Sequence, residues 1–191
     1  KIYDSNFCGK FIILGEVLFI NKTRKPYGSI RERYFEIQFL NTGYKMCASY
    51  VAIRHGRVKD KFLPSVAGVG FIGSEINVTD PDNFPFYRAW NDMMNRCYNI
   101  ADKDYPQYGG IGIRVDSRWF NFTVFREDIK YIPGYENKLM YPKQYELDKD
   151  YLQYNIPKSQ RIYSPSTCIW ILNSNNKVIM GKQQKVSSVG Y

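Results

Sequence analysis

Histidine is almost missing from this chain: 191 residues contain one, His55. A single imidazole outside any cluster supplies neither a histidine-rich metal site nor a paired acid–base couple, and His55 is taken as incidental. Cysteine is equally sparse. Cys8, Cys47, Cys97 and Cys168 lie far apart in sequence, which excludes zinc-knuckle spacing. The last three have apolar neighbours and suit reduced core thiols. No apolar run approaches the roughly 18 residues of a membrane span, and the first residues do not read as a signal peptide. The expectation is an intracellular protein with no membrane partner.

What is present is positive charge and aromatic surface. Lys plus Arg number 27 against 18 Asp plus Glu, a formal +9, and aromatics make up 17%. Such a surplus favours a polyanion, because each neutralised phosphate releases a condensed counterion. The excess is uneven. Residues 1–79 carry 12 basic and 6 acidic side chains, and residues 80–191 carry 15 and 12. The first part is therefore the expected electrostatic anchor. With 44% hydrophobic residues a packed core is expected throughout.

Residues 10–53 read as a small β-sheet. Phe11–Leu14 and Val17–Ile20 form one apolar stretch interrupted by Gly15-Glu16, and Phe35, Ile37 and Phe39 alternate on one face. Asn41-Thr42-Gly43 supplies a turn before a returning strand, Tyr44–Val51. A basic loop, Asn21–Pro26, contributes Lys22, Arg24 and Lys25, with Arg31 and Arg33 close by. These five are candidate DNA contacts on a sheet that fits a groove, although a solvated hairpin explains the segment equally well. Residues 54–79, with Gly56, Pro64, Gly68, Gly70 and Gly73, read as a connector. A helix follows, capped by Asp82 or Asn83 with Pro85 in its first turn, and Tyr87, Trp90, Met94 and Cys97 form its core stripe. Tyr105–Ile113 is a glycine-rich turn. No Lys-Ser or Lys-Thr follows it, so neither a phosphate loop nor a nucleotide cofactor is expected. Phe122, Phe125, Ile129 and Ile132 mark a second short helix, capped by Asn121.

Residues 144–180 carry the chemistry. A strand ending on Asp148-Lys149-Asp150, a polar loop, a second strand Ile169–Ile171 and a helical stretch through Asn176 make a ββα order. In that order one carboxylate and one helix side chain can share a hard cation, and Asp148 and Asn176 offer two oxygens. By residue type alone, a turn aspartate and a helix-capping amide account for them as well.

The run Tyr87-x-x-Trp90-x-x-Met93-x-x-Arg96-Cys97-Tyr98, then Tyr108-Gly109-Gly110-Ile111-Gly112-Ile113 with Arg118-Trp119 and Phe122-x-x-Phe125, resembles the opening of phage HNH proteins. Leu147-Asp148-Lys149-Asp150, Tyr163-Ser164-Pro165, Thr167-Cys168 and Asn176 resemble their nuclease motif. The likeness spans about residues 85–177, and its order and spacing make it specific. Residues around Asn41–Tyr44 and Gly68–Gly73 resemble, less specifically, small AP2-type DNA-binding sheets.

The resemblance implies an α+β protein in parts: a β-rich DNA-binding module over 1–79, a helical segment leading into an HNH-like ββα-metal domain over 80–180, and a polar tail over 181–191. It makes Asp148 and Asn176 ligands of Mg²⁺ or Mn²⁺, and Cys168 and Trp170 braces of the hairpin. Lys149 stands where the family has its general-base histidine. A lysine is protonated near neutral pH unless buried, so its expected role is to hold the scissile phosphate. Arg118, Arg161 and Lys177 are further phosphate candidates, although a solvated face explains each about as well. Two functions remain open. One is a metal-dependent endonuclease on double-stranded DNA, of nicking or homing type, in the host cytoplasm. The other is a degenerate HNH fold that binds DNA or a host protein as an anti-defence or regulatory factor.

Overall fold

The computed structural model describes residues 1–6, 9–24, 28–74 and 76–174, without the side chains of 18–24 and 28–31. The chain is mixed α+β and divides into two compact units, 1–63 and 64–191.

The first unit is an antiparallel sheet in sequence order, β1 (Ile2–Ser5), β2 (Gly9–Arg24), β3 (Gly28–Phe39) and β4 (Lys45–Ser49), followed by the short helix α1 (Tyr50–Arg54). Phe11 pairs with Phe39, Ile13 with Ile37, Ile37 with Met46 and Phe35 with Ala48. Period-two alternation therefore gathers the apolar side chains on one face, where Ile53 of α1 and Val58 close the core. The Asn41–Gly43 turn forms as the sequence suggests, with Gly43 at a left-handed φ of 72° that favours glycine.

Three local expectations change. The two apolar stretches are one strand, because register shifts at Ile13/Gly15 and Glu16/Leu18 absorb the Gly-Glu interruption as bulges. The basic segment from Asn21 to Arg24 is not loop but strand, paired with Gly28–Arg31. The returning strand stops at Ser49, whose hydroxyl accepts from Ala52 N at 3.2 Å and caps α1.

In the second unit, α2 (Phe84–Tyr98) buries Phe86, Trp90, Met93, Met94 and Cys97. α3 (Phe122–Asp128), capped by Asn121 as expected, buries Phe122 and Phe125, and Ile129 and Ile132 continue that core. Each large apolar side chain so buried contributes about 1.5–3 kcal/mol. Trp90 Nε1 donates to Trp119 O at 2.6 Å, which satisfies the indole inside the core. β5 (Arg114–Val115) runs parallel to β7 (Ile162–Tyr163). α4 (Tyr135–Met140) precedes a hairpin of β6 (Tyr145–Asp148) and β8 (Ile169–Leu172).

The segment 64–79, assigned above to the first module, packs in the second unit. Phe71 N donates to Phe120 O, Phe122 N donates to Phe71 O, and Val66, Val69, Ile72, Ile76 and Val78 join the core of α2 and α3. Gly70 belongs there because a Cβ would stand 2.9 Å from the Trp90 ring. No helix among the described residues is long and apolar enough to cross a membrane.

Candidate functional site

The β6–β8 hairpin places the motif residues. Leu147 pairs with Trp170 and Asp148 with Ile169, so Asp148 ends its strand where the chain must turn. Its Oδ1 accepts from Asp150 N at 2.9 Å and Tyr151 N at 2.7 Å, an Asx turn. The other oxygen, Oδ2, accepts no hydrogen bond among the described residues and keeps contact with solvent, although the residue as a whole is only 4% exposed. Burial raises the Asp148 carboxyl above its usual range, against the pull of the Tyr151 N–H.

Lys149 points elsewhere. It is 1% exposed, with Nζ 3.0 and 2.9 Å from the two oxygens of Asp150 and 4.8 and 5.1 Å from the centres of the Tyr108 and Tyr163 rings. Arg161 completes this group. It donates to Asp150 Oδ1 at 2.8 Å and to Ile156 O at 2.9 Å. Gln153 joins it by donating to Lys149 O and Ile162 O at 2.7 and 2.9 Å. Burial opposes the charge on Asp150, yet Lys149 and Arg161 outweigh it and hold that carboxyl below its usual range. Instead of offering Lys149 and Arg161 to a phosphate, the fold spends both on stapling the loop between β6 and β7 to the interior.

Two other expected contacts also have partners within the chain. Arg118 is bidentate to Asp128 at 2.7 and 2.9 Å, and Trp119 Nε1 donates to the same carboxylate at 3.0 Å. Arg33 is bidentate to Glu16 at 3.0 and 2.6 Å and stacks on Phe35. Lys22, Arg24 and Arg31 lie on strand backbone whose side chains are outside the description. Lys25, Asn176 and Lys177 lie outside the described residues altogether. Cys168 and Trp170 are buried in the hairpin, and burial pushes the Cys168 thiol up to about 12. It is an inert core thiol.

Asp148 borders a hollow of about 530 Å³ in the second unit, whose wall also includes Glu146, Arg88, Asp92, Arg96, Lys138, Lys143 and Asn173. Lys149 is not part of that wall. Lys138 is committed to the carbonyls of Pro142 and Tyr145 at 2.6 and 2.7 Å, and burial lowers its pKa to about 8. Among the described residues Arg88 and Lys143 form no ion pair with a carboxylate. Arg96 forms none among them either, although the Asp92 carboxylate favours its charge: its Nε donates to Asp92 O at 3.1 Å, and its guanidinium lies 5.2 Å from the Tyr108 ring centre. Asn173 Oδ1 is a buried acceptor without a donor among the described residues. Arg88 and Arg96 lie outside the apolar stripe of α2 and were not among the expected contacts. Their signal is the i, i+4, i+8 series Arg88-Asp92-Arg96, a charged stripe beside the apolar one.

As a metal site the described residues supply one hard donor with an open valence, Asp148 Oδ2. Among them no three His, Cys, Asp or Glu side chains converge. A carboxylate oxygen suits Mg²⁺ or Mn²⁺, and Asn176, the second expected ligand, falls outside the described residues. No protein-family model, curated protein or solved structure matches the chain.

Proposed function

We propose that the chain is a phage DNA endonuclease of the HNH type, dependent on Mg²⁺ or Mn²⁺, with Asp148 as the first metal ligand. The observation that carries this reading is the state of Asp148. Its carboxylate is buried, fixed by two backbone N–H groups on one oxygen and left open on the other, beside a hollow with unpaired cationic side chains. A turn aspartate needs only one oxygen, whereas here burial disfavours the charged carboxylate and the second oxygen stays open beside the hollow, where a cation would offset that cost. Asp148 would hold such an ion, which would supply the positive charge that stabilises a leaving 3′-oxygen. The Asx turn fixes the direction of Asp148, and the first unit, with 12 basic against 5 acidic side chains over residues 1–63, holds double-stranded DNA by its phosphates.

A second reading keeps the fold and drops the chemistry, leaving a binder of DNA or of a host protein. Lys149 favours it. The position expected to hold the base carries a buried, ion-paired lysine, and His55, the only histidine, lies in the first unit.

Nicking of supercoiled plasmid with Mg²⁺ or Mn²⁺ separates the two. The endonuclease is expected to nick slowly near neutral pH and faster as pH rises, because hydroxide must replace the missing imidazole. Asp148→Ala abolishes nicking. A wild type that binds DNA and never cuts it at any pH leaves the binding protein.

A further inference from the structure

We propose that Arg88, Arg96 and Lys143 form a phosphate-binding groove for one nucleic-acid strand, which runs across the hollow beside Asp148. The inference rests on the nucleic-acid reading above and assigns strand contacts besides those expected of Lys149, Arg161 and Arg118, which are ion-paired within the chain.

Three facts carry it. The first is charge without a partner. Arg88, Arg96 and Lys143 line one hollow, and none forms an ion pair with a carboxylate among the described residues. Arginine stays charged at any working pH, so each guanidinium offers its donors to an anion that enters the hollow. The second is preorganisation. Arg96 is tied to the Asp92 carbonyl and lies over Tyr108, so part of its side-chain entropy is already lost before binding, and its planar fork suits a phosphate.

The third is spacing. Arg88 and Arg96 are eight residues apart on α2, a rise of about 12 Å along the helix. A strand in a duplex places one phosphate every ~3.4 Å of axis. Two anchors so far apart address different phosphates of one strand, which a free phosphate ion cannot do. Glu146, Asp148 and Asp92 share the wall and oppose an acidic polypeptide in the same way. A nucleic-acid strand, however, carries a charge at every regular step of its backbone, which two anchors about 12 Å apart can both engage, and this favours a nucleic acid as the occupant.

The test uses the full chain and a short DNA duplex, with affinity measured against salt in Mg²⁺. Arg88→Ala and Lys143→Ala, both at exposed positions, should each reduce the slope of log K against log salt by about one. Arg96→Lys keeps the charge but loses the fork, so it should keep the slope and weaken binding several-fold. Folding of every variant is checked by thermal unfolding. Unchanged slopes in folded Arg88→Ala and Lys143→Ala overturn the proposal. If poly-glutamate competes with the duplex and both variants weaken it as much as they weaken DNA, the groove takes acidic polypeptide and the assignment to nucleic acid is overturned. The nuclease reading fails independently, through a wild type that never nicks while these slopes behave as stated.

Discussion

Lys149 and Asp150 are chain neighbours whose charges meet inside the second unit, with Nζ 2.9 Å from Oδ2 and both side chains almost fully buried. Adjacent residues on an extended strand point apart. These two meet because the chain leaves β6 at Asp148 and turns, and the Asx bonds of Asp148 fix that turn. The same turn presents Asp148 to the hollow and withdraws Lys149 from it.

Replacing Lys149 therefore tests a structural part. Lys149→Met leaves Asp150 with Arg161 alone and removes a cation from between Tyr108 and Tyr163. Breaking a buried pair on one side is expected to cost roughly 3 kcal/mol, even with Arg161 still present. Urea unfolding measures it. Lys149→His, which would install the usual base if the position faced substrate, should lose stability without any gain in nicking near neutral pH. A faster Lys149→His enzyme would show that the residue reaches the scissile phosphate.

The burial of Lys149 shows where sequence patterns stop. Asp-Lys-Asp reads as a charged turn, and the side chains that make it interior come from far along the chain: Tyr108 before it, Arg161 and Tyr163 after it. By contrast, the Trp90 and Cys97 stripe, the Asn121 cap and the Gly43 turn were legible because each depends on spacing or backbone conformation within a few residues. Gly109 falls between these cases. The glycine-rich turn is plain in the sequence, but its reason is a close approach to the Cys97 carbonyl at the end of α2. The fate of 64–79 was hidden for a similar reason. Its glycines signal turns, while its membership of the α2–α3 core depends on bonds from Phe71 to residues some fifty positions on. At the site, Asp148 was found by motif, whereas Arg88 and Arg96 could be set apart only once α2 was seen to line the hollow.

Arg118 was expected to touch phosphate, and its bidentate bond to Asp128 predicts otherwise. That bond is the largest influence holding the Asp128 carboxyl below its usual range. A carboxyl depressed by folding adds stability above its unfolded pKa of about 3.9 and loses it as pH falls through the lower folded value. Wild type should thus be more stable than Arg118→Ala at neutral pH, and the gap should close as pH drops below the carboxylate range. In DNA binding the same variant should change the salt slope by less than one charge, since Asp128 already neutralises the guanidinium. A full unit of slope lost, with no pH-dependent gap in stability, would return Arg118 to the DNA surface.

Asp148→Asn separates a metal ligand from a turn residue. The amide keeps an Oδ1 acceptor for Asp150 N and Tyr151 N, so the Asx turn survives. What changes is the second atom, from an open carboxylate oxygen to an NH₂ group, together with the removal of a buried negative charge. If that charge is kept for a cation, it burdens the metal-free protein, and its loss should raise Tm in chelator, by roughly 2–4 °C for each kcal/mol gained. Mn²⁺ should then raise the Tm of wild type by mass action and leave that of the variant where it stands. Nicking should vanish with the metal response. Function held at the expense of stability is the mark of a binding position. A variant that is less stable than wild type in chelator, with wild type itself indifferent to Mn²⁺, would make Asp148 a structural turn residue and remove the main support for the endonuclease.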